Sequence, residues 1–258
     1  MNLKTRINAI NMPIKQFLII AIICSLSWVQ GQNVSGKNLL IYTKNGKGYV
    51  HDNIAVSVAT LKTISKKLNV NTTVSDNPEI FTSNKMSIFD AVIFSNTNNE
   101  AFDTDEQRQA FKTFCEQGKG FGAIHSAAGS ERQWPWFWNL LGASFLRHPP
   151  FQEFKVNVVN TNHAATRDIG VSFFTTDECY FFKQQNTEVK VLLEADLSTV
   201  AEGENNTEPR PIKAPLSWYN TLYGGHQWYT ALGHSKGNYE VPLFQKHLEG
   251  GLRFILSN

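Results

Sequence analysis

Three histidines in this chain each stand just past an apolar run. His51 follows Asn38–Thr43 (NLLIYT) and a loop of Lys44, Asn45, Gly46, Lys47 and Gly48; His125 directly follows Gly120–Ile124; His234 directly follows Trp228–Gly233 (WYTALG). If those runs are parallel strands, their carboxyl ends form the edge where α/β sheets bind ligands. Three imidazoles meeting there can hold a divalent metal such as zinc and leave a fourth position for water or substrate. The spacing has none of the local tightness of an HExxH or CxxC motif. Taken singly, each ring is equally well explained as one that hydrogen-bonds its own loop.

A carboxylate is the natural companion of such a cluster. Asp177 and Glu178 precede Cys179, Tyr180, Phe181 and Phe182. In a strand successive side chains face opposite sides, so only one of the two acids can reach the site. Glu178 is the candidate general base, because desolvation among aromatics raises a carboxyl toward the working range. His148, before Pro149 and Pro150, sits in a rigid turn that could carry it to the same rim. The catalytic candidates are therefore His125, Glu178 and His234, and the metal candidates His51, His125 and His234. Trp134, Trp136, Tyr180, Trp218 and His148 are the candidates for substrate binding. Trp and Tyr beside a polar cleft offer flat faces to sugar C–H groups, although most such rings are core. His163 and His247 read as structural.

These residues need a scaffold. Asn38–Thr43, Val70–Val74, Phe89–Phe94 and Gly120–Ile124 read as strands, the first and third of them buried. Between them, Ile54, Val58, Leu61 and Ile64 or Leu68 recur at helical spacing, and Asp103, Thr104, Asp105 and Glu106 make a capped, acidic start for a second helix through Phe111, Phe114 and Cys115. Strand and helix alternate as in a doubly wound, mostly parallel sheet with helices on both faces. The second half is richer in β signals. Phe154–Val159 and Val189–Leu193 read as strands, and Pro215–Tyr223 joins His226–Leu232 through Gly224 and Gly225 as a hairpin. Ser198–Lys213 reads as an exposed loop, and Pro242 opens a last helix through Leu248, Leu252 and Ile255.

Residues 1–31 differ from the rest: Lys4, Arg6 and Lys15 precede an apolar run from Phe17 to Ile23, and Val29, Gln30 and Gly31 suit a cleavage site. This profile is that of a signal peptide, too short for a membrane span. The expected mature chain is one domain over 32–258, periplasmic or secreted, with no stable membrane insertion. The full chain carries 24 Lys and Arg against 22 Asp and Glu. Loss of Lys4, Arg6 and Lys15 brings it to near neutrality, which argues against nucleic acid as a partner. An oxidising compartment permits a bridge between Cys115 and Cys179, but their spacing does not require one, and two buried thiols are slightly favoured. A homo-oligomer is left open.

In order along the chain, several segments resemble the ThuA-like (trehalose utilisation) family, which has a class I glutamine-amidotransferase-like, flavodoxin-like fold. They are Gly122 to Ala127 (GAIHSA), Trp134, Pro135 and Trp136, Leu141 to Ala143 with Phe145, His148 and Pro149, Asp177, Glu178 and Tyr180, and Trp228 to Thr230 with Leu232, Gly233 and His234. The resemblance runs from Leu39 to about Phe254. Two positions depart from it: Ala164 stands where proline is usual, and His226 where arginine is common, a change with consequences for the cleft. It also implies that His125 occupies the turn where amidotransferases carry their cysteine nucleophile. Imidazole does not replace a thiolate as acyl acceptor, so glutamine hydrolysis is excluded. Ser126 lacks the GxSxG setting of a hydrolase nucleophile. The resemblance points to carbohydrate as the small-molecule partner. The leading expectation is an enzyme on an oxidised (keto) sugar or glycoside, of isomerase, lyase or hydrolase type, with a histidine-centred acid/base site and no cofactor beyond the metal. The alternative is a sugar-binding domain that has lost the chemistry.

Overall fold

A computed structural model describes residues 33–203 and 209–257. The expected signal peptide lies outside these residues. The chain divides after Asn33, and the unit beginning at Val34 carries all the elements below.

Five parallel strands form one half of a nine-stranded sheet. β1 (Asn38–Tyr42) lies between β2 (Asn71–Ser75) and β3 (Ala91–Ser95); β4 (Gly120–Ile124) follows β3, and β11 (Gly225–Thr230) lies beyond β4. Four antiparallel strands extend it: β10 (Pro215–Leu222), β9 (Lys190–Ala195), β6 (Gln152–Val158) and the edge strand β7 (Ser172–Asp177). The sheet is therefore mixed, its first half doubly wound and its second half a β-rich addition. Two short strands, β5 (Ser144–Arg147) and β8 (Phe181–Lys183), pair separately.

β4 explains how two helical layers fit. Its sequence is GFGAI, and alternate residues face opposite sides of the sheet. Gly120 and Gly122 face the last helix, α5 (Pro242–Ile255). A Cβ on Gly120 would lie 1.8 Å from the Ile255 carbonyl oxygen, and one on Gly122 would lie 2.9 Å from the Ile255 side chain. Only glycine lets that helix sit so close. Phe121, on the opposite face, packs edge-on to Phe94 and Phe111 and against Phe137. Phe111 belongs to α3 (Asp105–Glu116) and Phe137 to α4 (Pro135–Leu141). α1 (Ile54–Lys67) packs on the same side as α5, and α2 (Ser83–Met86) beside α3. α3 begins as its sequence requires: Thr104 and Gln107 form a reciprocal capping box behind Asp105 and Glu106.

One feature departs from the sequence reading. The stretch 177–182 is not one strand, because β7 ends at Asp177 and β8 starts at Phe181. The Asp177 side chain accepts hydrogen bonds from the backbone N–H groups of Glu178, Gly233 and His234, which turns the chain out of the sheet. The β10–β11 hairpin does form, turning at Tyr223 and Gly224, both with positive φ. Cys115 and Cys179 are buried free thiols, and burial pushes Cys179 up to about 12. No helix among the described residues is long and apolar enough to cross a membrane.

Candidate active site and metal centre

The carboxyl ends of β1, β4 and β11 converge, and with them His51, His125 and His234. His125 lies at the centre. Its Nε2 is 3.2 Å from His51 Nε2, 3.4 Å from His234 Nδ1 and 3.5 Å from Glu178 Oε2; His234 Nδ1 is 3.1 Å from the same carboxylate oxygen. These four donor atoms all lie within 4.8 Å of one another. Ligands about 2.0–2.1 Å from a tetrahedral zinc stand roughly 3.3 Å apart, so the cluster could hold a metal ion.

The backbone aims these groups. His125 has φ +51°, an unusual value for a residue with a Cβ, and so leaves β4 on a sharp turn. Two contacts hold it there. Its Nδ1 lies 2.7 Å from the Ala231 carbonyl, which can only accept, so Nδ1 carries a proton, and Nε2 is the nitrogen turned toward the cluster. The Tyr229 hydroxyl donates to the His125 carbonyl at 2.8 Å. Asn53, fully buried, donates to the carbonyls of Gly233 and His234 and to Asn96 Oδ1, tying the segment that carries His51 to the end of β11. Asp177 grips the backbone of both Glu178 and His234. Burial raises its carboxyl, and three N–H donors work against that rise.

Charge in the cluster is distributed unevenly. Burial, together with the rings of His125 and His234, holds His51 down to about 3, leaving it neutral and ligand-competent at ordinary pH. His234 is raised, first by its hydrogen bond to Glu178. Glu178 departs from expectation. Burial does push it up, but the hydrogen bond from His234 and the close imidazoles of His125 and His148 outweigh burial and hold it well below the usual carboxylate range. It is an anion by design of its surroundings, suited to a cation. Its other oxygen, Oε1, faces His148 Nε2 at 3.3 Å, and His148 Nδ1 lies 2.8 Å from the Pro149 carbonyl. Tyr180 donates its hydroxyl to His125 Nε2 at 2.9 Å; burial keeps that phenol protonated.

A cavity of about 400 Å³ opens over this cluster. Of the residues singled out from sequence, His51, His148, Glu178, Tyr180 and His234 line it, and His125 lies beneath. The tryptophans do not. Trp218 is core, its indole N–H bonded to the Leu141 carbonyl. Trp134 stacks on Phe137 and meets Phe102 edge-on, and Trp136 stacks on Tyr223; Pro135, at the first turn of α4, directs both toward α3 instead of the sheet edge. His226, expected to alter the cleft, is bonded to the Phe254 carbonyl and stacked on that ring, outside the pocket. His163 and His247 are structural: the first accepts from the Ala165 N–H through Nδ1, the second donates to the Ala165 carbonyl. Ser126, Tyr49, Asn98, Gly129, Arg132 and Phe145 complete the wall, and none of them is a site candidate from sequence. Only their place just past strand ends or beside His125 could have suggested them.

The scaffold and this histidine-rich edge define an α/β protein with its site beyond the strand termini. A family model described as trehalose utilisation matches residues 38–255, and the chain belongs to this ThuA family. Among solved structures, a putative ThuA-like protein from Bacteroides uniformis is similar at 22% identity and TM-score 0.71, covering 86% of this chain and 91% of that one. One from Parabacteroides merdae is similar at 17% identity and TM-score 0.66, covering 85% and 90%. A β-galactosidase from Bacillus circulans shares the fold at 12% identity and TM-score 0.53, over 88% of this chain and 31% of that enzyme. No curated protein matches the sequence.

Proposed function

We propose that this is an exported, metal-dependent enzyme acting on an oxidised (keto) sugar or glycoside. The observation that carries the reading is the convergence of His51, His125, His234 and Glu178 on one point, with His125 Nε2 turned inward by the carbonyl partner of Nδ1. With Nδ1 committed to the Ala231 carbonyl, Nε2 is the ring nitrogen left to bind a divalent ion such as zinc, 3.5 Å from Glu178 Oε2. Family membership supports carbohydrate as substrate, and the cavity has the size of a small-ligand site. The N-terminal 31 residues support export.

A bound divalent ion would polarise a substrate carbonyl or its hydrate. His51, His125, His234 and Glu178 Oε2 would hold such an ion, and His148, 3.3 Å from Glu178 Oε1, would steady that carboxylate. A ketone makes the adjacent C–H acidic; His148, with Glu178 Oε1 3.3 Å from its Nε2 to orient it, is the group placed to take that proton. Returning the proton to the neighbouring carbon gives an isomerase. Expelling a glycosidic oxygen on the next carbon gives a lyase. The Tyr180 hydroxyl lies within reach to hold the developing oxyanion.

The test is metal analysis of the purified protein together with turnover of 3-oxo and unoxidised glycosides, with and without a chelator. About one ion per chain and chelator-sensitive turnover of the oxidised substrate are expected, both abolished in His125→Ala. Sugar binding that survives His125→Ala, with no turnover by the wild type, would establish a binding domain instead.

A further inference from the structure

We infer that the substrate of this site is a sugar carrying a carboxylate, with Arg132 as the residue that selects it. The inference rests on the metal-site reading for its charge balance and on Arg132 for its geometry. Among the residues lining the cavity, Glu178 is the single carboxylate and Arg132 the single permanent cation. A divalent ion with Glu178 leaves one positive charge, and Arg132 adds a second. A cavity of that charge favours an anionic ligand over a neutral one.

Arg132 is also held ready. Its Nε donates to the Gly129 carbonyl at 2.9 Å, one Nη lies 3.5 Å from Asn98 Oδ1, and the guanidinium stands 5.6 Å from the centre of the Phe145 ring. Gly129 makes this fit: a Cβ there would come within 2.9 Å of the guanidinium and 2.5 Å of Asn98 Oδ1. Asn98 is itself fixed, donating to the Tyr49 carbonyl. A long side chain ordinarily loses rotamer entropy on binding, and here, although Arg132 is exposed, these contacts meet part of that loss in folding. The other arginines near carboxylates, such as Arg108 with Glu131 and Arg147 with Glu202, form ion pairs. Arg132 makes its hydrogen bonds to neutral oxygens only.

One planar fork matches the two coplanar oxygens of a carboxylate. A phosphate dianion is more often met by several cations or a run of backbone N–H groups. Beside Arg132, Ser126 brings a buried hydroxyl with no partner to the same wall.

The experiment measures binding of glucuronate, glucose and glucose 6-phosphate to the zinc-supplemented protein by calorimetry, in wild type, Arg132→Gln and Arg132→Lys, with metal content recorded for each. Glucuronate is expected to bind at least ~10-fold more tightly than glucose, consistent with one charge-assisted contact. Arg132→Gln should erase that preference with its metal content unchanged, and Arg132→Lys should retain part of it. Equal binding of glucuronate and glucose by the wild type would overturn the inference, as would a preference that survives Arg132→Gln. Tighter binding of glucose 6-phosphate than of glucuronate would overturn the carboxylate assignment. A wild type without metal would refute the proposed function, whereas the glucuronate preference and its loss in Arg132→Gln decide this inference separately.

Discussion

Asp177→Asn is a near-isosteric change with a large expected cost. One carboxylate oxygen accepts from the backbone of Glu178 at 2.8 Å and His234 at 3.1 Å, and the other from Gly233 at 2.7 Å. Asparagine can offer its carbonyl to one side only. In its better orientation it keeps the Glu178 and His234 pair and turns NH₂ against the buried Gly233 N–H. The loss is one charge-assisted bond, about 1.5–3 kcal/mol, plus an orphaned donor, about 1–3 kcal/mol, so destabilisation of roughly 3–5 kcal/mol is expected. For a domain of this size that is a fall in Tm of roughly 6–20 °C. Thermal and guanidinium unfolding of the metal-free protein, followed by circular dichroism, measures it. The same change should weaken metal binding, because the freed backbone carries both Glu178 and His234. An Asp177→Asn protein within about 1 kcal/mol of wild type would refute the reasoning and show that Asp177 is held neutral, as its burial alone would have it.

Three further outcomes are expected. His247 is buried and depressed to about 4, so the unfolded ring takes up a proton below about pH 6.5 that the folded ring refuses; stability therefore falls between pH 6.5 and 4, by roughly 2 kcal/mol at pH 5 from this residue, and denaturant titrations of His247→Gln should show a pH slope shallower by that amount. Gly250→Ala would put a Cβ 2.1 Å from the Ala164 carbonyl oxygen, so a loss of about 3 kcal/mol or more is expected from overpacking between α5 and that turn, checked by the same titrations. Trp136→Ala, on the surface with Tyr223 and away from the cavity, should leave sugar affinity within about twofold of wild type, a change no larger than about 0.4 kcal/mol.

The strand ends were legible because periodicity and Gly punctuation fix where each strand stops, and a parallel sheet fixes which way its end points. That reasoning brings His51, His125 and His234 together without any local motif. It fails for Trp134, Trp136 and Trp218, because a run of aromatics says how much apolar surface must be buried and nothing about which layer buries it. The Glu178 shift runs opposite to the sequence expectation for a related cause. Burial can be inferred from aromatic neighbours in sequence, but the imidazoles that reverse its effect arrive from distant positions, His148 30 residues away and His125 and His234 53 and 56 residues away. Arg132 and Asn98 carry no pattern at all; they join the pocket wall through Gly129, whose missing side chain is visible only in three dimensions.

The spacing of the cluster along the chain also bears on how the protein matures. His51 and His125 are 74 positions apart, and His125 and His234 a further 109. Loops of that length close late, after the strands between them have found their partners. The four donors are thus scattered in the unfolded chain, and a cation meets them as a set only once the sheet is assembled. An ion would then act on the native state by mass action, adding about 2.7 kcal/mol when its free concentration is 100 times the dissociation constant. The local supply of metal where the chain folds would set how long each molecule survives unfolding and proteolysis there.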